Sequence, residues 1–576
     1  MILQALTSLY EALAQKGEIS KEGWSREKIS FALGIDENGD LLRITPLFET
    51  VDMPKGKKKE EPQKMMVPIK EKNTGPKFLW GNSGFILGAA NKKTPEKAKE
   101  NFEENRQLHH QLLDEVDSPA AKAILNFFDG WEPEKTTENE LVAQYASELL
   151  GSANMVFRFN GKFMHEIPEL SAAWQTHYGA AQNEKGQCLI TGMLDAIPET
   201  HPLIKGIQGA QSSGAALVSF NGPAFCSYNK LQNHNAPVGK YAAFAYTTAL
   251  NHLLADKSNV HRIGDASVVC WAENADKQYE DFAAEVFFGD NVDKSDEQRL
   301  SALRTSLKLL ADGLPCKEMD LDPDRKFYIL GLSPNAARIA VRFFYCDSFG
   351  KIAGNIYRHH ERLEIVRPSY DKFPILPLWK LLSATVNPNA KDKTPNAAMA
   401  GAVARAVFSG GRYPASLLEC TFLRIKAERN ITRERAAIIK AYYLRNPNEK
   451  CPKEVLTVSL NENSKNIPYT LGRLFSVYEE IQQAANPGIN TTIKDRYFGS
   501  AAAMPATVFP ILSNLAQKHL RKLSDEQRVY LDKKVMTLKS VLGEQYPAHM
   551  SLPEQGSFDL GYYHQTQDRY TKKEDK

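Results

Sequence analysis

Residues 414–446, PASLLECTFLRIKAERNITRERAAIIKAYYLRN, read as two helices in succession. Leu417, Leu418, Phe422 and Ile425 recur at helical spacing, and so do Ala436, Ile439 and Tyr443. Thr432 with Glu434 shortly after it marks a helix start, and Gly410-Gly411 marks the end of the helix before. The same texture continues on both sides, in LWKLLSATV and AAMAGAVARAVFSG, then in IPYTLGRLFSVYEEIQQAA and ATVFPILSNLAQKHLRKL. Strand signals disappear beyond about residue 375, so the last third is expected to be a helical bundle.

Upstream the pattern is mixed. The apolar residues of MILQALTSLYEALAQKGEIS fall at helical spacing with no basic leader before them, which predicts a docked amphipathic helix and not a signal peptide. ISFALGIDENGDLLRITPL (29–47) alternates about a Gly-containing turn and predicts a hairpin. Residues 51–80 hold eight Lys and four acids, a charge of +4, and are expected to be an exposed, mobile basic loop. Helices are expected over 91–150, a hairpin about Asn160-Gly161, strands and turns over 187–221, and a helix from Tyr241. GDASVVCWAE (264–273) and RKFYILGLSPNAARIAVRFFYC (325–346) read as strands flanking a charged helical insert. The expected fold is α+β and multidomain: an N-terminal α+β region (1–150), a central α/β region (151–375), a basic helical region (376–455), a C-terminal helical bundle (456–545) and a polar tail (546–576), disordered after Phe558.

Bulk properties narrow the function little. With 576 residues, 42% hydrophobic and a net charge of +3, the chain is an ordinary globular one whose charge is too small to imply a polyanion partner. Seven scattered cysteines without a CxxC pair predict free thiols in a reducing compartment, and no run of eighteen apolar residues exists, so a cytoplasmic protein without a membrane span is expected. GxxxxGK[ST], HExxH and GxSxG are absent. The glycines of KGIQGAQSSGA (205–215) read as tight turns, and the pairs His109-His110 and His359-His360 as solvated helix-surface residues. Lacking a carboxylate cluster for divalent metal, the chain is assigned no catalytic residue, metal or cofactor. An enzyme, a nuclease or nucleotide-binding protein with an unfamiliar site, is the alternative, and a scaffold without nucleic-acid contact is a third reading.

The segment LVSFNGPAFCSYNKLQNHNAPVGKYAAFAYTTALNHLL (217–254) sets Ser219, Asn221, Ser227, Lys230, Gln232, Asn233, His234 and Asn235 among turn formers. Such amides and hydroxyls can pair with phosphates, sugars or base edges, and Tyr228 can stack on a base; they can equally satisfy their own backbone in turns. With GDASVVCWAE, LGLSPNAARIAVRFF, GRYPASLLECTFLRIKAER, YTLGRLFSVYEEIQ and DRYFGSAAAMPATVFP, in order from MILQAL to about residue 525, this segment resembles the large subunit of the type I-C CRISPR surveillance complex (Cascade). Residues 51–72 and the tail do not match the resemblance.

The resemblance implies a subunit that binds the crRNA-containing assembly, reads the protospacer-adjacent motif (PAM) in target double-stranded DNA, and helps open the target and hold the displaced single strand. Its partners would be the Cascade backbone and crRNA-processing subunits, a small subunit and a recruited helicase-nuclease. Base pairing would read the target, as in other crRNA-guided effectors. Lys70, Lys72, Asn73, Thr74, Lys77 and Asn82 are then the expected PAM-duplex contacts, against a solvated lysine loop as the alternative. Asn335, Arg338 and Arg342 are expected phosphate contacts, with pairing to acids such as Asp347 equally open. Residues 401–450 hold ten Lys or Arg and four acids, and Arg424, Lys426, Arg429, Arg433, Arg435 and Lys440 are expected to form a positive face for a single strand, against i,i+4 pairs with Glu428. From about 455 to 540 the resemblance implies a small-subunit-like unit, also made separately from an internal start, guessed near Val458. In it Arg473, Lys494, Arg496, Tyr497, Lys518, Arg521 and Lys522 would contact the strand, with Arg473 and Arg496 alternatively acting as helix-helix ties.

Overall fold

The computed structural model describes the chain except residues 54–56, 71–74, 91–93, 152, 180–183, 290–296, 372, 544 and 571–576. It divides into two compact units, residues 3–202 with 219–249, and residues 203–218 with 250–576. The architecture is α+β: sheets lie in the N-terminal part and in the centre, and the chain from Ala397 onward is helical. The division runs through the helix Lys240–Ala255.

In the first unit the expected hairpin forms from Phe31–Ile35 and Leu41–Pro46, paired from Phe31↔Pro46 to Ile35↔Leu41. Its turn is held by the Asp36 carboxylate, which accepts from the Asn38 and Asp40 amides at 2.9 Å each. Asn154–Phe159 joins Phe31–Ile35 in parallel, and Lys162–Phe163 folds back on it through Asn160-Gly161, both with positive φ. Phe31, Leu33, Phe157 and the helix Pro119–Gly130 supply one core.

Residues 51–80 correct the sequence reading. Instead of a loop, Phe48–Met53 and the twelve-residue strand Lys57–Pro68 form an antiparallel pair, and the second half of the long strand continues against Trp24–Ile29. Met65 and Val67 alternate into the core, which outweighs the poor strand propensity of the lysines. Glu61 accepts from Lys28 (2.6 Å) and Lys59 (3.0 Å), and these hydrogen bonds pull its pKa down to about 2.

The second unit holds an antiparallel sheet in the order His261–Ile263, Ala266–Ala272, Lys326–Asn335, Arg338–Ser348. Its inner residues Val268, Cys270, Ile329 and Phe343 share a core with the helices that follow. Thr432 caps the helix Arg433–Arg445 and Gly410 (φ 71°) closes Ala397–Ser409, as the sequence indicated.

The tail is a second correction. Leu552–Tyr570 is a helix lying buried along Ile467–Ala485. The two backbones cross at glycines: a Cβ on Gly472 would sit 2.0 Å from the Phe558 carbonyl oxygen, and one on Gly561 2.1 Å from that of Tyr469. Polar pairs line the crossing, with Tyr469–His564 at 2.9 Å, Arg473–Gln565 at 3.0 Å, Ser476–Thr566 at 2.8 Å and Tyr562–Glu479 at 2.6 Å. With these polar groups paired and Phe558 and Tyr562 packed on Phe475, the segment is buried although it reads as polar.

The histidine pairs also depart from expectation, because one member of each is buried. The His109 ring accepts from the Leu79 amide at 3.0 Å, and burial pushes its pKa down to about 4. His359 bonds the Tyr413 hydroxyl, and burial pushes its pKa well down. All seven cysteines are free.

Candidate nucleic-acid interface

The amide-rich loop of residues 219–239 is organised by two asparagines. Asn235 accepts from the Ser227 amide (2.8 Å) and donates to the Lys230 and Gln232 carbonyls (2.9 and 3.0 Å). Asn233, only 2% exposed, donates to the Pro198 and Val238 carbonyls (2.9 and 3.0 Å), and its Oδ1 lies 2.7 Å from His201 Nε2. His201 Nδ1 lies 2.6 Å from the Tyr246 hydroxyl, and burial lowers the ring's pKa. Asn233 and Asn235 therefore fix the loop's shape and are not free to meet a ligand.

What they shape is a tight turn. The Lys230 amide bonds the Ser227 carbonyl at 3.0 Å, with φ of 53° at Tyr228 and 58° at Asn229. Positive φ at both central residues is the type I′ geometry, easy for Asn and costly for Tyr, by about 1–2 kcal/mol. Tyr228 is nevertheless 95% exposed, so no packing within the protein repays that cost. Ser227, Lys230 and Asn221 are exposed around it and Ser219 is half-buried. The turn presents an aromatic ring and an ammonium outward on a rigid base.

The PAM-side residues are dispersed in role. Lys72, Asn73 and Thr74 lie outside the described residues. The Lys77 ammonium sits 4.6 Å from the centre of the Trp80 ring, and the Lys77 amide donates to Asn105. Two residues on, Leu79 is a buried left-handed residue (φ 61°). The Asn82 side chain caps the helix Ser83–Ile86, accepting from Gly84 at 3.1 Å, which answers its amide with a structural task. Lys70 is half-exposed.

The positive face expected on residues 424–440 is not formed, because half its charges point inward. Arg433 bonds Asp371 (3.0 Å) and the Pro374 carbonyl (3.1 Å); Arg435 bonds Glu428 (2.6 Å) and the Ala384 and Asn430 carbonyls; Lys440 covers the Arg362 carbonyl (3.0 Å). Burial pushes the Lys440 pKa down to about 8. Arg424 stays half-buried near Glu428, leaving Lys426 and Arg429 exposed. Arg342 pairs with Asp265 at 2.6 Å, while Asp347 takes Lys351 instead. Asn335 is exposed and Arg338 half-buried at the hairpin turn.

In the region expected to resemble a small subunit, Arg473 is an internal tie, buried on Gln565 and on the Asn461 and Glu462 carbonyls. Lys494 is half-buried, 3.3 Å from Asn430 and over the Tyr562 ring. Arg496 is exposed against the half-buried Tyr497 ring. Lys518, Arg521 and Lys522 are exposed at the end of the helix Pro505–Leu520.

A further group was not read from the sequence. Arg358, Arg362 and Arg445 converge in the structure from helices remote in sequence, which no local pattern could have signalled.

The family described as CRISPR-associated protein (Cas_Csd1) matches residues 6–570. The chain belongs to that family. No curated protein matches it. Among the described residues of this Cas_Csd1 protein, no group of three or more His, Cys, Asp or Glu is placed to hold a metal, and no helix is long and apolar enough to cross a membrane.

Proposed function

We propose that the chain is the non-enzymatic large subunit of a type I-C Cascade complex, binding crRNA and PAM-containing DNA and stabilising the displaced strand. The observation that carries the nucleic-acid part is the Ser227–Lys230 turn. A strained, wholly exposed tyrosine beside a lysine, on a base fixed by the Asn233 and Asn235 side chains, suits stacking on a base and gripping its phosphate. Family membership supports the CRISPR setting. The other roles follow the resemblance: PAM contact near Lys70 to Lys77, recruitment of a helicase-nuclease that cuts, and separate production of the C-terminal unit.

The test is co-purification with crRNA and the other Cascade subunits, followed by binding to target duplexes with and without the PAM. Tyr228→Ala is expected to weaken binding by roughly 5- to 100-fold, the range for losing one stacked base. A complex that forms without crRNA, or a Y228A complex with unchanged affinity for both crRNA and DNA, sinks the reading. Cleavage of target DNA by the purified complex with magnesium alone would favour the nuclease alternative.

A further inference from the structure

Arg358 and Arg362 stand one turn apart on the helix Phe349–Leu363, and Arg445 ends the helix Arg433–Arg445 packed beside it. Arg358 donates to Asn355 Oδ1 at 2.9 Å, and Arg362 bonds the Tyr413 hydroxyl. A Cβ placed on Gly410 would lie 2.4 Å from that same Asn355 oxygen and 3.3 Å from Arg445 Nη2, so the guanidiniums gather about one glycine cap. Arg358 is exposed and the other two are half-exposed.

Like charges at i,i+4 repel, and a third from a neighbouring helix adds to the cost. Three other arginines of this unit are neutralised, Arg433 with Asp371, Arg435 with Glu428 and Arg342 with Asp265. Among the described residues no carboxylate stands within ion-pair distance of Arg358, Arg362 or Arg445. Burial and then the Arg362 charge lower the Arg445 pKa, opposed only by Tyr413, and Arg358 adds to the lowering. Arg362 and Arg445 each stand in the last turn of their helix, where the helix dipole offsets part of the repulsion, while the Glu361 and Arg362 carbonyls are already met by the buried Lys440 ammonium.

We propose that Arg358, Arg362 and Arg445 form a cradle for the phosphates of a single nucleic-acid strand. Guanidinium forks match phosphate oxygens in pairs, and an uncompensated trio becomes favourable once an anion is bound. A strand fits better than a lone anion because the exposed Arg358 and the half-exposed Arg362 and Arg445 open to solvent, where successive phosphates can pass. The inference rests on the function proposed above.

The test measures binding of a fluorescein-labelled single-stranded oligonucleotide of mixed sequence to the full chain and to R358Q/R362Q/R445Q, across salt concentrations. Loss of affinity on the order of tenfold at low salt is expected, with a log–log salt slope flatter by roughly 2, since each phosphate contact on a single strand accounts for about 0.7. The R358K/R362K/R445K variant should recover the slope but only part of the affinity. A second readout needs no variant: the oligonucleotide should protect these three arginines from phenylglyoxal, read by mass spectrometry. Unchanged affinity and slope, no protection, or protection by polyglutamate in place of the oligonucleotide overturns the cradle and, in the last case, assigns it to an acidic protein segment. Failure of the wild-type chain to bind any oligonucleotide sinks the broader reading, whereas unchanged binding by the glutamine variant sinks the cradle alone.

Discussion

Gly561→Ala separates two physical effects that have opposite signs. Alanine is the better helix former by about 1 kcal/mol, so on propensity alone the substitution stabilises the helix Leu552–Tyr570. Its methyl, however, would stand 2.1 Å from the Tyr469 carbonyl oxygen, a backbone atom that cannot rotate away. The helices must part by more than 1 Å, roughly the gap to an ordinary contact, at an overpacking cost of about 1–3 kcal/mol. Parting also weakens the four cross-helix polar pairs, each worth about 1 kcal/mol. After the propensity gain, a net loss of about 3 kcal/mol is expected. Because a chain of two units need not unfold in one step, the assay is hydrogen exchange read on peptides spanning 467–485 and 552–570, where protection should fall by roughly 100-fold. Gly499→Ala is the control: nothing lies within 4 Å of its added methyl on Ile493–Ala503, and it should raise stability by about 0.5–1 kcal/mol. Equal or greater protection in G561A would refute the backbone-to-backbone crossing.

Three further outcomes are expected. Arg433→Ala should destabilise by about 3 kcal/mol in denaturant titration, at the low end for a broken buried pair because Lys380 still bonds Asp371. Glu280 is buried against Asn259, and burial raises its pKa to about 8. Its folded pKa therefore exceeds the unfolded one, so the contribution is full below about pH 4 and is lost as pH rises towards 8. Melting curves of Glu280→Gln should accordingly lack a stability loss that the parent shows across that window; parallel pH profiles would contradict the burial argument. Tyr228→Gly should raise stability by about 1 kcal/mol through release of left-handed strain while removing the stacking surface, so melting temperature and oligonucleotide affinity should move in opposite directions.

The periodic elements were legible because their apolar faces do the folding: the first helix, the hairpin about Asp36 to Gly39 and the helices Ala415–Glu428 and Arg433–Arg445 all sit where spacing put them. Misreadings came where a polar-looking segment is ordered by partners distant in the chain. Lys57–Pro68 is a strand because Trp24–Ile29 and Phe48–Met53 flank it, and Leu552–Tyr570 is a helix because Tyr469, Arg473 and Glu479 meet its polar groups. The basic region failed for the same reason, since counting charges in 401–450 cannot tell Arg433, turned onto Asp371, from Arg445, which pairs with no acid among the described residues. Tyr228 was named from its type alone; its left-handed backbone, the stronger signal, is visible only in three dimensions.

The glycine crossing also bears on the order in which the chain can mature during synthesis. The helix Ile467–Ala485 presents Tyr469 and Arg473 to partners such as His564, 95 residues further along from Tyr469. Until Leu552–Tyr570 has left the ribosome, that polar seam has nothing to bond and the glycine notch nothing to receive. The contact between these two helices is therefore made late, after upstream regions have had time to form. A fragment begun near Val458 would carry both crossing helices but would lack Ile439, Tyr443 and the Lys450 and Val366 carbonyls, on which Leu552–Tyr570 also rests.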